Sequence, residues 1–143
     1  MVNTAHPSFV NMIERLSPDE ARIIKYLKGR KDIQYCDFRA KAKEGNGFTT
    51  MGEHLTLVPF EVKLDFPQNV NAYLSNLVSM GILFDMDGQY IIDQTIYNKI
   101  KEQHKFEEYK SRWVPNVFKD FVTNNSYYKV TDFGKLFIRA CIN

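Results

Sequence analysis

The chain has 143 residues, 44% of them hydrophobic and 14% aromatic, and a formal net charge of +2. That size suits one domain with a core of its own, and the apolar fraction excludes a disordered chain because it supplies burial enough to offset chain entropy. A charge so close to neutral sets up no global field for polyanions, and no apolar run approaches the length of a bilayer span. The first fifteen residues lack the basic start and apolar run of a signal peptide, so a cytoplasmic location with no membrane partner is expected. Cys36 and Cys141 each sit among apolar neighbours, the pattern of free, buried thiols in a reducing compartment.

Taken in order, residues 6–16 place Phe9, Val10, Ile13 and Leu16 at helical spacing, which predicts a short amphipathic helix. Ser17-Pro18-Asp19-Glu20 is a helix-start signature: Ser17 caps, Pro18 fits the first turn and Glu20 completes a capping box. Ile23, Ile24 and Leu27 supply the apolar stripe, and Gly29 ends the helix among Lys28, Arg30 and Lys31. Residues 37–43 alternate, with Phe38, Ala40 and Ala42 opposite Asp37, Arg39, Lys41 and Lys43, as in a half-exposed strand. Residues 44–47 read as a loop, and a second alternation at Phe60, Val62 and Leu64 predicts another strand of a small β insertion.

Pro67 then opens a helix in which Val70, Leu74, Leu77 and Val78 recur, and Gly81 stops it. Residues 82–84 predict a strand, Asp85 to Gly88 a turn, and residues 89–92 the returning strand of a β-hairpin. A helix feeding a two-stranded wing predicts an α+β fold with a winged-helix-like core, helices plus a small antiparallel sheet with a β-hairpin wing, in a single domain over residues 1–143. Residues 95–111 read as one exposed helix ended by Trp113 and Pro115. Asn124-Asn125-Ser126 reads as a turn, residues 127–130 as a strand, and Thr131 as the cap of a last helix carrying Phe133, Leu136, Phe137 and Ala140. Leu74, Leu77, Ile82 and Phe137 are expected to be buried together.

Three blocks, HPSFVNMIERLSPDEARIIKYL, AYLSNLVSMGIL and KVTDFGKLFIRACI, together resemble the abortive-infection alpha family, in that family's order and over nearly the whole chain. These are bacterial proteins built on a domain of unknown function and named for a role in stopping bacteriophage infection. The resemblance implies a setting, phage defence, and supplies no catalytic residue.

The residues themselves offer little catalytic chemistry. His6, His54 and His104 are scattered, neither cysteine has a histidine at useful spacing, and there is no HExxH or CxxC pattern. No catalytic residue, cofactor or metal ligand is therefore assigned. An EF-hand loop starting at Asp85 would need glycine where Tyr90 stands and glutamate where Ile96 stands, so Asp85 to Gly88 is read as a turn. Pro18-Asp19 with Glu61-Val62-Lys63 mimics a PD-(D/E)xK nuclease, but such a site needs both elements on adjoining strands, and Pro18-Asp19 belongs to a helix cap.

No Lys or Arg lies between Lys63 and Lys99. A helix and wing without phosphate partners, and bearing acidic residues, suit a protein partner better than DNA. Gln68, Asn69, Asn71, Ser75 and Asn76, with Asp85 and Asp87 on the wing, are the candidate partner-binding residues, the partner being a protein, a second copy included. Basic residues gather instead at Lys25, Lys28, Arg30 and Lys31 and on the strand, where Arg39, Lys41 and Lys43 are the candidate polyanion-binding row; nucleic acid would bind there weakly and without sequence preference. The reading is a non-enzymatic protein-interaction module of an abortive-infection protein. The alternative is a winged-helix DNA-binding transcriptional regulator, with a metal-dependent nuclease behind both.

Overall fold

The computed structural model describes residues 8–142; His6 lies outside the described residues. The elements in order are α1 (Ser8–Glu14), α2 (Pro18–Tyr26), β1 (Asp32–Lys41), β2 (Phe48–Leu55) and α3 (Val58–Glu61). A 3-10 turn (Pro67–Asn69) then runs into α4 (Val70–Ser79), followed by β3 (Leu83–Asp85), α5 (Thr95–Gln103), α6 (Phe106–Trp113), β4 (Asp120–Val130) and α7 (Asp132–Cys141). The fold is α+β, as expected, with sheet order β2-β1-β4-β3. Two compact units divide the chain: one holds residues up to 33, 58–85 and from 128 onward, the other residues 34–57 and 86–127.

In the first unit α2 begins as its sequence predicts. Ser17 Oγ accepts from the Glu20 N–H at 3.2 Å and the Ser17 N–H donates to Glu20 Oε1 at 2.9 Å. This reciprocal cap satisfies two orphan donors of the first turn and is worth about 1 kcal/mol. Ile23, Ile24 and Leu27 are buried, as are Leu74, Leu77, Ile82 and Phe137. α1 turns a different face inward than its spacing suggests: Phe9 and Met12 are buried, whereas Val10 is 60% and Ile13 48% exposed. Phe9 sets the rotation, because it packs edge-on against both Phe133 and Phe137, with centroids 5.6 and 5.1 Å away. α7 starts at Thr131, whose Oγ1 accepts from the Gly134 N–H at 2.8 Å and donates to the Gly81 carbonyl at 2.6 Å. Its first turn presses so closely on the chain after α4 that a Cβ on Gly134 would stand 2.3 Å from the Ile82 carbonyl oxygen.

The hairpin wing needs correction. β3 forms, and the turn at Gly88 has φ +84°, but residues 89–92 make no strand. β3 pairs instead with the end of β4, Leu83 opposite Val130 and Asp85 opposite Tyr128. Tyr128 and Val130 are buried while Tyr90 and Ile92 are exposed, so pairing with β4 buries apolar surface that a local hairpin would leave wet. The backbone at 91–92 finds side-chain partners: the Ile91 N–H donates to Tyr97 Oη at 3.0 Å, and the Gln94 amide reaches the carbonyls of Ile91 and Ile92. The strand predicted at Phe60, Val62 and Leu64 is likewise absent. Residues 58–61 form the helical turn α3, and the chain after them is held by a buried carboxylate rather than by a neighbouring strand.

In the second unit, β1 starts five residues earlier than its clearest alternation and ends at Lys41. Tyr35 is buried on one parity and Phe38 and Ala40 on the other, and the register with β2 slips between Cys36 and Arg39. The extra residues of this irregularity lie on β2, where Leu55 to Thr50 takes five steps against three from Cys36 to Arg39 on β1; β1 itself buries Tyr35 to Phe38 in a row, and that run hides its first half from a simple alternating pattern. Asn124-Asn125-Ser126 is not a turn but the middle of β4. Two of its polar side chains find partners elsewhere in the chain: Cys36 Sγ on β1 donates to Asn125 Oδ1 at 3.2 Å, and Ser126 Oγ accepts from the Gly88 N–H at 3.3 Å. The helix expected over 95–111 breaks at Lys105, whose φ is +62°. The break turns Phe106 inward against Phe38 and Phe121, at 5.1 and 5.0 Å.

Candidate functional site

The best-built polar cluster lies in the first unit and grows out of the α2 cap. Asp19, in the first turn of α2, is 2% exposed and accepts from four donors. Arg22 Nη1 lies at 2.6 Å, the Asp65 N–H at 2.8 Å, the Phe66 N–H at 2.9 Å and Tyr73 Oη at 2.8 Å. Burial alone would push this carboxyl up; the two backbone N–H groups, then Tyr73 and Arg22, outweigh it and hold the pKa at about 2. The Tyr73 hydroxyl is raised, by burial first and then by its bond to Asp19. Glu20 gives its remaining oxygen to the Asn76 amide at 2.7 Å. The short loop between α3 and the 3-10 turn is thereby tied to α2 and α4 through charge-assisted bonds.

The loop shapes an open cleft of about 620 Å³ lined by Arg22, Lys25, Tyr26, Glu61, Lys63 and Asp65. Arg22 bridges Asp19 and Asp65, the latter at 3.1 Å, and both bonds hold its guanidinium charge, Asp65 foremost. The Tyr26 hydroxyl donates to Glu61 Oε1, and burial with that bond raises its pKa. Arg30 lies over the Tyr26 ring at 3.9 Å. Glu61 closes α3 and Lys63 follows in the loop, so the nuclease-like residues sit on a helix cap, a helix end and a loop, not on adjoining strands. Among the described residues, no three of His, Cys, Asp or Glu converge to hold a metal ion.

Beside this cluster the predicted partner-binding residues separate by role. Gln68, Asn69, Asn71 and Ser75 are exposed on the 3-10 turn and one face of α4, and the whole span from Pro67 to Ser79 is uncharged. Asn76 is half-buried and bonded to Glu20, which makes it a strut of the α2 cap rather than an open amide. Asp85 is half-buried on β3; Asp87 is exposed in the turn and belongs to the second unit. What the sequence did not disclose is Phe66, 56% exposed immediately before the turn, and Phe60, 50% exposed on α3. Nothing local marks an aromatic as outward-facing; an odd phenylalanine just before a proline was the sole available signal.

Of the predicted polyanion row, Arg39 and Lys41 lie two residues apart on β1, but Lys43 falls past the strand's end. Arg39 stacks over Phe48 at 4.4 Å and lies 3.9 Å from Asp37, so its charge is already shared. His54 and His104 are apart in role: the His54 N–H donates to Asp37 Oδ1 at 2.8 Å, while the His104 ring bonds the Thr56 carbonyl at 2.7 Å. Both cysteines are free thiols. Burial pushes the Cys36 thiol up to about 12, which keeps it protonated.

No curated protein matches the chain. A solved structure, that of an uncharacterized protein from the hydrocarbon-degrading marine bacterium Alcanivorax borkumensis SK2, shares the fold with a TM-score of 0.53 at 12% identity, over 92% of each chain. The family described as Abortive infection alpha matches residues 1–141, an extent that takes in the α2 cap, the Asp19 cluster and α4 together. The chain belongs to the abortive infection alpha family.

Proposed function

We propose that this chain is a non-enzymatic protein-interaction module of a phage-defence system, working in the cytoplasm, and that its partner docks on the turn and outer face of α4. The observation that carries the reading is Phe66: its side chain is more than half exposed while its own N–H is fixed to the buried Asp19 carboxylate. An aromatic held ready on a rigid frame loses little entropy on binding and is the kind of residue that dominates interface energies. Next to it, Gln68, Asn69, Asn71 and Ser75 offer hydrogen bonds without charges that would be costly to desolvate. The occupied oxygens of Asp19 and Glu61 support a structural use of the nuclease-like residues. The phage-defence setting rests on family membership.

The test is a pull-down from infected and uninfected cells, with purified protein assayed in parallel on DNA and RNA with Mg²⁺ or Mn²⁺. A protein captured by the wild type, lost with Phe66→Ser and with Ser75→Arg, and kept when Arg39, Lys41 and Lys43 are all changed to Glu, is the expected result. Cleavage abolished by Lys63→Ala would overturn the non-enzymatic reading. Tight, sequence-selective DNA binding that survives the triple reversal but not Asn71→Ala would replace it with a regulator.

A further inference from the structure

The second unit contains a cavity of about 160 Å³ that the interaction surface does not use. Phe38 and Phe121, both almost fully buried, line it together with Leu55 and with Tyr109 and Trp113 on α6. Tyr109 and Trp113 stack at 5.5 Å, and Trp113 meets Phe121 edge-on at 6.1 Å. Met51 and Tyr109, each more than a third exposed, stand at the mouth.

None of the lining side chains carries a formal charge. His104, the Tyr109 hydroxyl and the Trp113 indole N–H are its neutral polar groups, and because a carbonyl can only accept, the His104 Nε2–H is spent on Thr56. Burial also holds the imidazole below its ordinary pKa, despite the opposing pull of the Thr56 carbonyl, so the wall is neutral at neutral pH.

Size and lining select the occupant. Apolar cavities of roughly 150 Å³ take up benzene, whereas drug-sized ligands need roughly 300 Å³ or more. Edge-to-face contacts with the Phe121 and Trp113 rings favour another aromatic ring over an aliphatic one, and the flexible thioether of Met51 can adapt to it at the entrance. A carboxylate or ammonium would be stripped of water with no counter-charge to meet it. We propose that this cavity is a binding site for a small neutral aromatic molecule of one ring.

Trp113 is the only tryptophan in the chain, so its emission reports on the cavity directly. Toluene is the probe and benzoate its charged counterpart. The proposal expects a saturable, one-to-one change in emission with toluene, a raised melting temperature at saturation, and binding of benzoate weaker by at least about tenfold. Leu55→Phe intrudes on the space and should weaken both toluene effects while melting no lower than the free wild type. Should that variant not fold, backbone amide shifts of the wild type on adding toluene decide: changes centred on Phe38, Trp113 and Phe121 support the site. No saturation up to the solubility limit, equal binding of benzoate, undiminished binding by folded Leu55→Phe, or shifts centred elsewhere would overturn it.

Discussion

Asp19 concentrates more of the first unit's polar order than any neighbour, and its protonation should be visible in the pH dependence of stability. Its pKa is about 2 when folded, below the ordinary 3.8. Its stabilisation is therefore complete above about pH 4 and is lost as pH falls through 2, because protonation removes the acceptor that four donors require. Asp19→Asn should lower the denaturation midpoint at pH 7, and the gap to wild type should shrink as pH is taken towards 2. Parallel curves across that range would contradict the assignment. Gly134→Ala should destabilise despite alanine's better helix propensity, since the added carbon meets the Ile82 carbonyl rather than a movable side chain. Leu77→Ala, at a fully buried position, should cost about 2 to 5 kcal/mol in urea denaturation. The Ser17 and Thr131 caps were legible in the sequence because a cap is written within four residues. The partners of Asp19 lie up to 54 residues away, and no local pattern encodes them.

At the scale of elements, α2 and α4 stand where periodicity and stop signals put them, because each needs one buried stripe; α7 starts at its predicted cap but buries Phe137, Ile138 and Ala140, leaving Phe133 and Leu136 of the expected stripe exposed. Strands fared worse, for physical reasons visible in particular residues. β1 buries Tyr35 to Phe38 in a row and so shows no alternation there, β2 has mostly exposed side chains and hence no alternation to read, and Asn124 to Ser126 look like turn residues until Cys36 and Gly88 are seen to satisfy two of their side chains. The same accounting explains why residues 89–92 do without a partner strand. Tyr97, fully buried, accepts the Ile91 N–H and donates to the Ser126 carbonyl at 2.9 Å, tying that loop to β4. Tyr97→Phe removes both bonds and should cost about 1 to 3 kcal/mol, the penalty for buried polar groups left unpaired. Trp113 emission would follow the unfolding, and faster hydrogen exchange at the Ile91 amide would locate the loss; an unchanged midpoint would show that these groups find other partners.

For the molecule as a whole, α+β class and family could be read from the sequence, whereas the candidate interface could be read only in part. The uncharged stretch from Pro67 to Ser79 marks the proposed face in the sequence, whereas Phe66 beside it emerges only from tertiary hydrogen bonding that fixes its backbone N–H to Asp19 and leaves its ring exposed. Fold alone would not assign a role to such a face, since related architectures host unrelated functions; geometry and chemistry of the surface carry that argument. The most direct measurement is site-specific photo-crosslinking in infected cells, with the reactive residue placed at Gln68 or Ser75 and, as a control, at exposed Glu44 in the second unit. One discrete protein adduct is expected from Gln68 and Ser75, absent from Glu44 and abolished by Phe66→Ser. Adducts to nucleic acid from those positions, or the same protein adduct from Glu44, would contradict that expectation.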